Sequence, residues 1–164
     1  MPPESAIATN PLWRLTPQQA QHIMIDSIPQ SHALGLQVLE FAPGRVVVDL
    51  PYDARLVGDP DTGVLHGGAI TTLVDGSCGA AVMSALRTLR RCATVDLRID
   101  YLRAARPHRT VRCIAECYRV THEIAFVRAT AHDGDPADLL ANAAGTFVLF
   151  EELTEDPASP ERTV

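Results

Sequence analysis

Two periods divide the chain. From Ile70 to Leu86 the apolar residues Ile70, Leu73, Val74, Cys78, Ala81, Val82, Ala85 and Leu86 fall at offsets of 3, 4, 8, 11, 12, 15 and 16. That is the 3.6-residue period of one long helix, spanning His66 to about Arg87. Beyond it the period drops to two. Val95, Leu97, Ile99 and Tyr101 alternate with Thr94, Asp96, Arg98 and Asp100, and Arg109–Val120, Glu123–His132 and Leu139–Phe150 give three more strand-like runs between turn signals. Upstream, Leu34–Phe41 and Arg45–Tyr52 read as two strands joined by Ala42-Pro43-Gly44. Thr16-Pro17-Gln18-Gln19 has the form of a capping box with proline at the first helical position, opening a short helix that Pro29 is expected to end. The order predicts an α+β fold, a six-stranded antiparallel sheet with one main helix on one face and a short N-terminal helix.

Length places these elements in one core. The chain has 164 residues, enough for a domain of this size to bury about two-thirds of its unfolded surface without disulfides or metal. Residues 1–15 read as an irregular lead with Trp13 pinned to the body, residues 16–150 as the domain, and residues 151–164 as an acidic flexible tail. Residues 53–65, with Gly58, Pro60 and Gly63, form a polar, breaker-dense loop. Cys78, Cys92, Cys113 and Cys117 form no CxxC pair, so they are expected as small buried side chains and no metal site is expected. No apolar run approaches a membrane span, and Met1-Pro2-Pro3-Glu4-Ser5 is no signal peptide start, so no membrane partner and a cytoplasmic location are expected.

The formal net charge of −6 argues against nucleic acid as a partner. Its distribution is uneven. All the basic residues are arginine, and residues 87–128 carry ten of them against four acids. These arginines either solvate strand faces or gather at a site for a polyanionic small ligand.

The helix carries the unusual chemistry. Gly76 and Gly79 sit inside it, where each costs about 0.5–1 kcal/mol relative to alanine, so close packing or a ligand must explain them. Asp75 has Thr71, Thr72, Cys78 and Gly79 as its neighbours on the helix surface. A carboxylate on such a strip is half-buried, and it needs either an arginine from a strand or a role as base or nucleophile in a cleft. His66-Gly67-Gly68 opens the helix, where bare backbone N–H groups and the helix dipole suit a developing oxyanion, with Gly67 the expected donor. Gly67 and Asp75 are separated by ~12 Å along one helix. A two-fold dimer with antiparallel helices would bring Gly67 of one chain to Asp75 of the other, through Gly76 and Gly79.

The His66-Gly67-Gly68 motif, Leu73, Asp75 and Gly79, followed by Thr94 to Arg103 and by Ala144-Gly145-Thr146-Phe147, resemble the hot-dog-fold acyl-CoA thioesterases of the PaaI type (4-hydroxybenzoyl-CoA thioesterase superfamily) over roughly residues 30–150. The resemblance implies an antiparallel sheet wrapped around the central helix, a homodimer, and commonly a dimer of dimers. It implies hydrolysis of an acyl-CoA substrate with no separate cofactor, coenzyme A being part of the substrate. By position, Asp75 would be the catalytic carboxylate, Gly67 the oxyanion donor with Gly68 beside it, and His66 the orienting group for the thioester carbonyl. Thr94 would help place the lytic water. Strict alternation puts Thr94 with Asp96 and Arg98, so that role requires an irregularity in the strand. Arg103, Arg106 and Arg109 are candidates for the CoA phosphates. The chain departs from some members at Pro60, where they carry asparagine. Two other readings are a hot-dog dehydratase or hydratase and a non-catalytic acyl-CoA-binding domain, the latter marked by an Asp75 sealed in an ion pair with no open cleft.

Overall fold

The computed structural model describes residues 10–152. The distal parts of the expected lead and tail, residues 1–9 and 153–164, lie outside the described residues. One long helix, α3 (Gly67–Ala85), is wrapped by a six-stranded antiparallel sheet. The strands are β1 (Gln37–Ala42), β2 (Arg45–Leu50), β5 (Arg90–Tyr101), β6 (Val111–Val120), β7 (Ile124–His132) and β8 (Leu139–Glu152), in spatial order β1-β2-β6-β7-β8-β5. This is the hot-dog arrangement. The helix buries the faces carrying Ile70, Leu73, Val74, Cys78, Ala81 and Val82, and leaves a stripe through Gly68, Thr71, Thr72, Asp75, Gly76 and Gly79 exposed or half-exposed. The strands face it with small side chains, among them Ala115, Ala125, Ala129, Ala141 and Ala143, all buried, which lets helix and sheet approach closely.

Four local features depart from the periodicity. Thr16 makes the expected capping box with Gln19, but α1 (Pro17–Gln21) passes into a π-turn at His22–Asp26, and Pro29 starts a further helix, α2 (Pro29–Ala33), instead of ending the helical region. Proline fits there because its missing N–H falls at a first-turn position that has no intrahelical acceptor. The 53–65 loop contains a two-stranded ribbon, β3 (Val57–Asp59) with β4 (Val64–Leu65). Residues 10–15 are tied down: buried Asn10 donates through Nδ2 to Met83 O at 2.9 Å and Leu86 O at 2.8 Å, and Trp13 Nε1 donates to Ser84 O at 2.6 Å. They satisfy carbonyls that the last turn of α3 leaves without helical partners. At the other end of the chain, Glu151 and Glu152 belong to β8, so the strand runs into the segment expected as tail.

The two edges of the sheet differ. The β1 edge is covered by α1, with Val38 N donating to Gln21 Oε1 at 2.7 Å. The β5 edge is twelve residues long and bare, with Val95 at 62%, Leu102 at 59% and Tyr101 at 48% exposure on or beside it. A long unpaired edge of this kind is a template for another strand.

Candidate active site

His66 is the N-cap of α3, and its Nδ1 accepts the Gly68 N–H at 2.9 Å. Two consequences follow for the expected donors. Gly68 is not a free donor, because its amide is occupied by the cap. A His66 whose Nδ1 accepts is a neutral imidazole with its proton on Nε2, so the exposed end of the ring is itself a donor. Gly67, at the first helical position, keeps an exposed backbone N–H with no acceptor among the described residues. Its carbonyl is held from the sheet by Tyr101, whose hydroxyl donates to Gly67 O at 2.8 Å and also bonds the Thr71 hydroxyl at 2.9 Å. Tyr101 thereby fixes the turn that presents the Gly67 amide, a role its place in an alternating strand does not reveal.

Asp75, two turns along α3, is half-buried and forms no ion pair among the described residues. One oxygen, Oδ1, accepts from Thr94 Oγ1 at 2.8 Å. That contact exists because β5 is irregular: against β8, Thr94 pairs with Phe147 but Asp96 pairs with Thr146, so Val95 is the extra residue of a bulge. The bulge reverses the facing on one side of it. Thr94 lies with buried Phe147 towards the helix, together with Leu97 and Ile99, while Val95 turns outward. The expectation from strict alternation, Val95 in and Thr94 out, is corrected at this residue pair.

A cleft of about 230 Å³ opens beside the pair. Asp75, Gly76, Gly79 and Met83 of α3 line it, with Cys92 and Thr94 of β5 and the N-terminal residues Met24, Ile25 and Ile28. Among the described residues Asp75 is the only charged one that lines it, and none of the lining residues is a histidine. Burial pushes the Cys92 thiol up to about 11, which keeps it an inert wall and not a nucleophile. The buried Cys78 and Cys113 likewise have thiols raised by desolvation. Among the described residues no group of histidine, cysteine and carboxylate side chains could hold a metal.

His66 and Gly68 line a separate cleft of about 310 Å³ with Arg55 and Thr72, so within one chain the amide end and the carboxylate end of the helix open into different spaces. The arginine candidates also separate. Arg103 spends all of its donors internally: two on Asp133 at 2.8 and 2.6 Å, one on Asp138 Oδ1, and the others on the carbonyls of Ala104 and Asp138. None is left for a phosphate, which corrects its candidacy as a CoA ligand. Arg106 joins the same pair of aspartates through Nη1 and Nη2 but stays half-exposed. Arg109 is exposed, without an ion pair among the described residues, and lines a polar cleft with His108, Arg112 and His132.

A sequence profile of the thioesterase superfamily matches residues 62–139, the stretch holding both ends of α3 and the Thr94 bulge. An inferred esterase of Halobacterium salinarum is 30% identical over 140 residues, covering 79% of this chain and 92% of that one. The chain belongs to the thioesterase superfamily. Within it, the medium/long-chain acyl-CoA thioesterase YigI of Salmonella typhimurium is 26% identical over 152 residues, covering 82% of this chain and 97% of YigI. The PaaI protein of the Escherichia coli phenylacetic acid degradation operon, 18% identical, shares the hot-dog fold with a TM-score of 0.72 over 82% of this chain and 94% of its own.

Proposed function

We propose that this thioesterase-superfamily protein hydrolyses acyl-CoA thioesters to the free acid and CoA at two sites of a homodimer. The observation that carries the reading is Asp75: a carboxylate with one oxygen fixed by Thr94, no cation beside it among the described residues, and an apolar cleft at its side. Asp75 Oδ2 takes a proton from water as the water oxygen bonds to the thioester carbon. The carbonyl oxygen becomes an oxyanion facing the partner subunit's Gly67 N–H, with the partner's His66 Nε2–H orienting it. When the tetrahedral intermediate collapses, the C–S bond breaks and the CoA sulfur leaves, receiving the proton held on Asp75. No step draws on a metal or a further cofactor.

The ~12 Å between the two ends of one helix and the bare β5 edge both support the dimer. Antiparallel pairing of two β5 edges would lay the α3 helices side by side in opposite directions, and a dimer of dimers would be built from the remaining surface. For the CoA phosphates the reading uses Arg106 and Arg109. The non-catalytic binding reading is disfavoured by a carboxylate that is open instead of ion-paired among the described residues. No helix among the described residues is long and apolar enough to cross a membrane, and a cytoplasmic location accords with a CoA-dependent reaction.

The test is thiol release from butyryl-, octanoyl-, dodecanoyl- and phenylacetyl-CoA by the wild type and by Asp75→Asn. The wild type is expected to turn over at least one, and the variant to be slower by ~10²–10⁴-fold. A wild type inert on the whole panel, or an equally active Asp75→Asn, refutes the assignment.

A further inference from the structure

The interior glycines of α3 have no explanation in the fold itself. Neither Gly76 nor Gly79 has a positive φ. A Cβ added at Gly76 would meet nothing within 4 Å, and one added at Gly79 would meet only Phe147 Cε1 at an ordinary 3.6 Å. Alanine would therefore fit both positions and would strengthen the helix by about 0.5–1 kcal/mol each. Gly79 is the informative one. It lies one turn beyond Asp75, its carbonyl accepts a weak contact from Cys92 Sγ at 3.9 Å, and its missing side chain opens into the apolar cleft.

The residues at i, i+4 and i+8 on this helix face are Asp75, Gly79 and Met83, all lining the same cleft. Strand β5 runs back along them, Thr94 beside Asp75 and Cys92 beside Gly79. The cleft thus follows the helix for ~12 Å from the carboxylate to Met83, and a side chain at residue 79 would project into it part-way along.

Resting on the hydrolase reading, we propose that Gly79 determines specificity: it keeps open a channel along α3 through which the hydrocarbon tail of an unbranched acyl group passes from Asp75 towards Met83. The acyl group is uncharged, because Asp75 is the only charged residue among the described ones that line the channel and would repel a second carboxylate. A short acyl group ends before residue 79, whereas a longer one must cross it. The side chain at 79 therefore discriminates by length.

The experiment compares Gly79→Ala and Gly79→Val with the wild type on butyryl-, octanoyl- and dodecanoyl-CoA, alongside thermal unfolding of each protein. A single methylene misfit in an apolar pocket changes kcat/KM by roughly tenfold or more. The ratio of kcat/KM for octanoyl- over butyryl-CoA is expected to fall by about tenfold in Gly79→Val and by less in Gly79→Ala, while Gly79→Ala unfolds no earlier than the wild type. An unchanged ratio, with every chain length slowed alike, overturns the proposal and makes Gly79 a structural position. If the wild type hydrolyses none of the three, the hydrolase reading falls by itself. The channel is then judged by calorimetric titration with the unhydrolysed octanoyl-CoA, against butyryl-CoA: octanoyl-CoA binding weakened by Gly79→Val more than butyryl-CoA binding sustains it, and no binding, or equal weakening, overturns it.

Discussion

Gly67→Pro would isolate the oxyanion donor with little else disturbed. Gly67 is the first residue of α3, the one helical position where proline is favoured because the N–H it lacks has no intrahelical acceptor. The preceding residue also suits it: His66 has φ −62° and ψ 132°, the extended region that proline imposes on its neighbour. A Cβ at 67 would meet the Tyr101 hydroxyl oxygen at 3.6 Å, an ordinary contact. The variant is thus expected to fold with unchanged or slightly raised stability, up to about 1 kcal/mol from the stiffer unfolded chain. Its backbone loses the one amide assigned to the oxyanion, which elsewhere costs ~10²–10³ in kcat. Gly67→Ala, which keeps the N–H, is the matched control and should retain most of the rate. The assay is steady-state thiol release on the best acyl-CoA, with circular dichroism and thermal unfolding on the same samples. A folded Gly67→Pro with wild-type kcat would refute the assignment, and so would Gly67→Ala losing as much as Gly67→Pro.

Thr94→Val removes the 2.8 Å hydrogen bond to Asp75 without touching the backbone of the bulge. A bond to a charged group contributes about 1.5–3 kcal/mol, so kcat should fall by ten- to a hundredfold; an unchanged kcat would show that Asp75 needs no fixing. Stability should depend on acid through Asp133, whose buried carboxyl is held well below the ordinary range by hydrogen bonds from Arg103. The folded state favours the carboxylate, so this contribution is complete above about pH 4 and disappears as the pH falls towards the folded value. Asp133→Asn should lower urea stability by about 3 kcal/mol at pH 7, with the gap from wild type closing between pH 4 and pH 2; a gap constant with pH would contradict the assignment. Burial, which disfavours the charged ring, lowers the His132 imidazole. The unfolded chain protonates first on acidification from about pH 6.5, and the resulting loss of stability should be absent in His132→Gln.

What could be read from the chain was whatever repeats or is local. The periodicity located α3 within two residues at each end, and the Thr16 capping box and His66 as a helix start both rest on contacts between near neighbours in sequence. The bulge at Val95 was not legible, since a single inserted residue leaves the alternation of β5 looking continuous on both sides. Its consequence, Thr94 turned to Asp75, is visible only in pairing with β8. Arg103 is hidden for a related reason: it stands 30 residues from Asp133, and no local pattern announces that two aspartates from the β7–β8 connection take up all of its donors. In sequence Tyr101 is one more apolar strand position, because its hydroxyl meets Gly67 from 34 residues away. The anchoring of Trp13 followed from the chemistry of an indole, but Asn10 under the end of α3 had no signal beyond its own polarity.

The central claim is that Asp75 works with an amide from another copy of the chain. Asp75→Asn and Gly67→Pro, each nearly inactive alone, can be co-expressed with different tags and the mixed dimer isolated through both. In that dimer the intact Asp75 of one chain faces the intact Gly67 of the other at one of the two sites. The account predicts recovery to about half the wild-type rate per purified mixed dimer. A stable mixed dimer that stays as inactive as its parents would place carboxylate and amide in the same subunit's site, and the account would fail there.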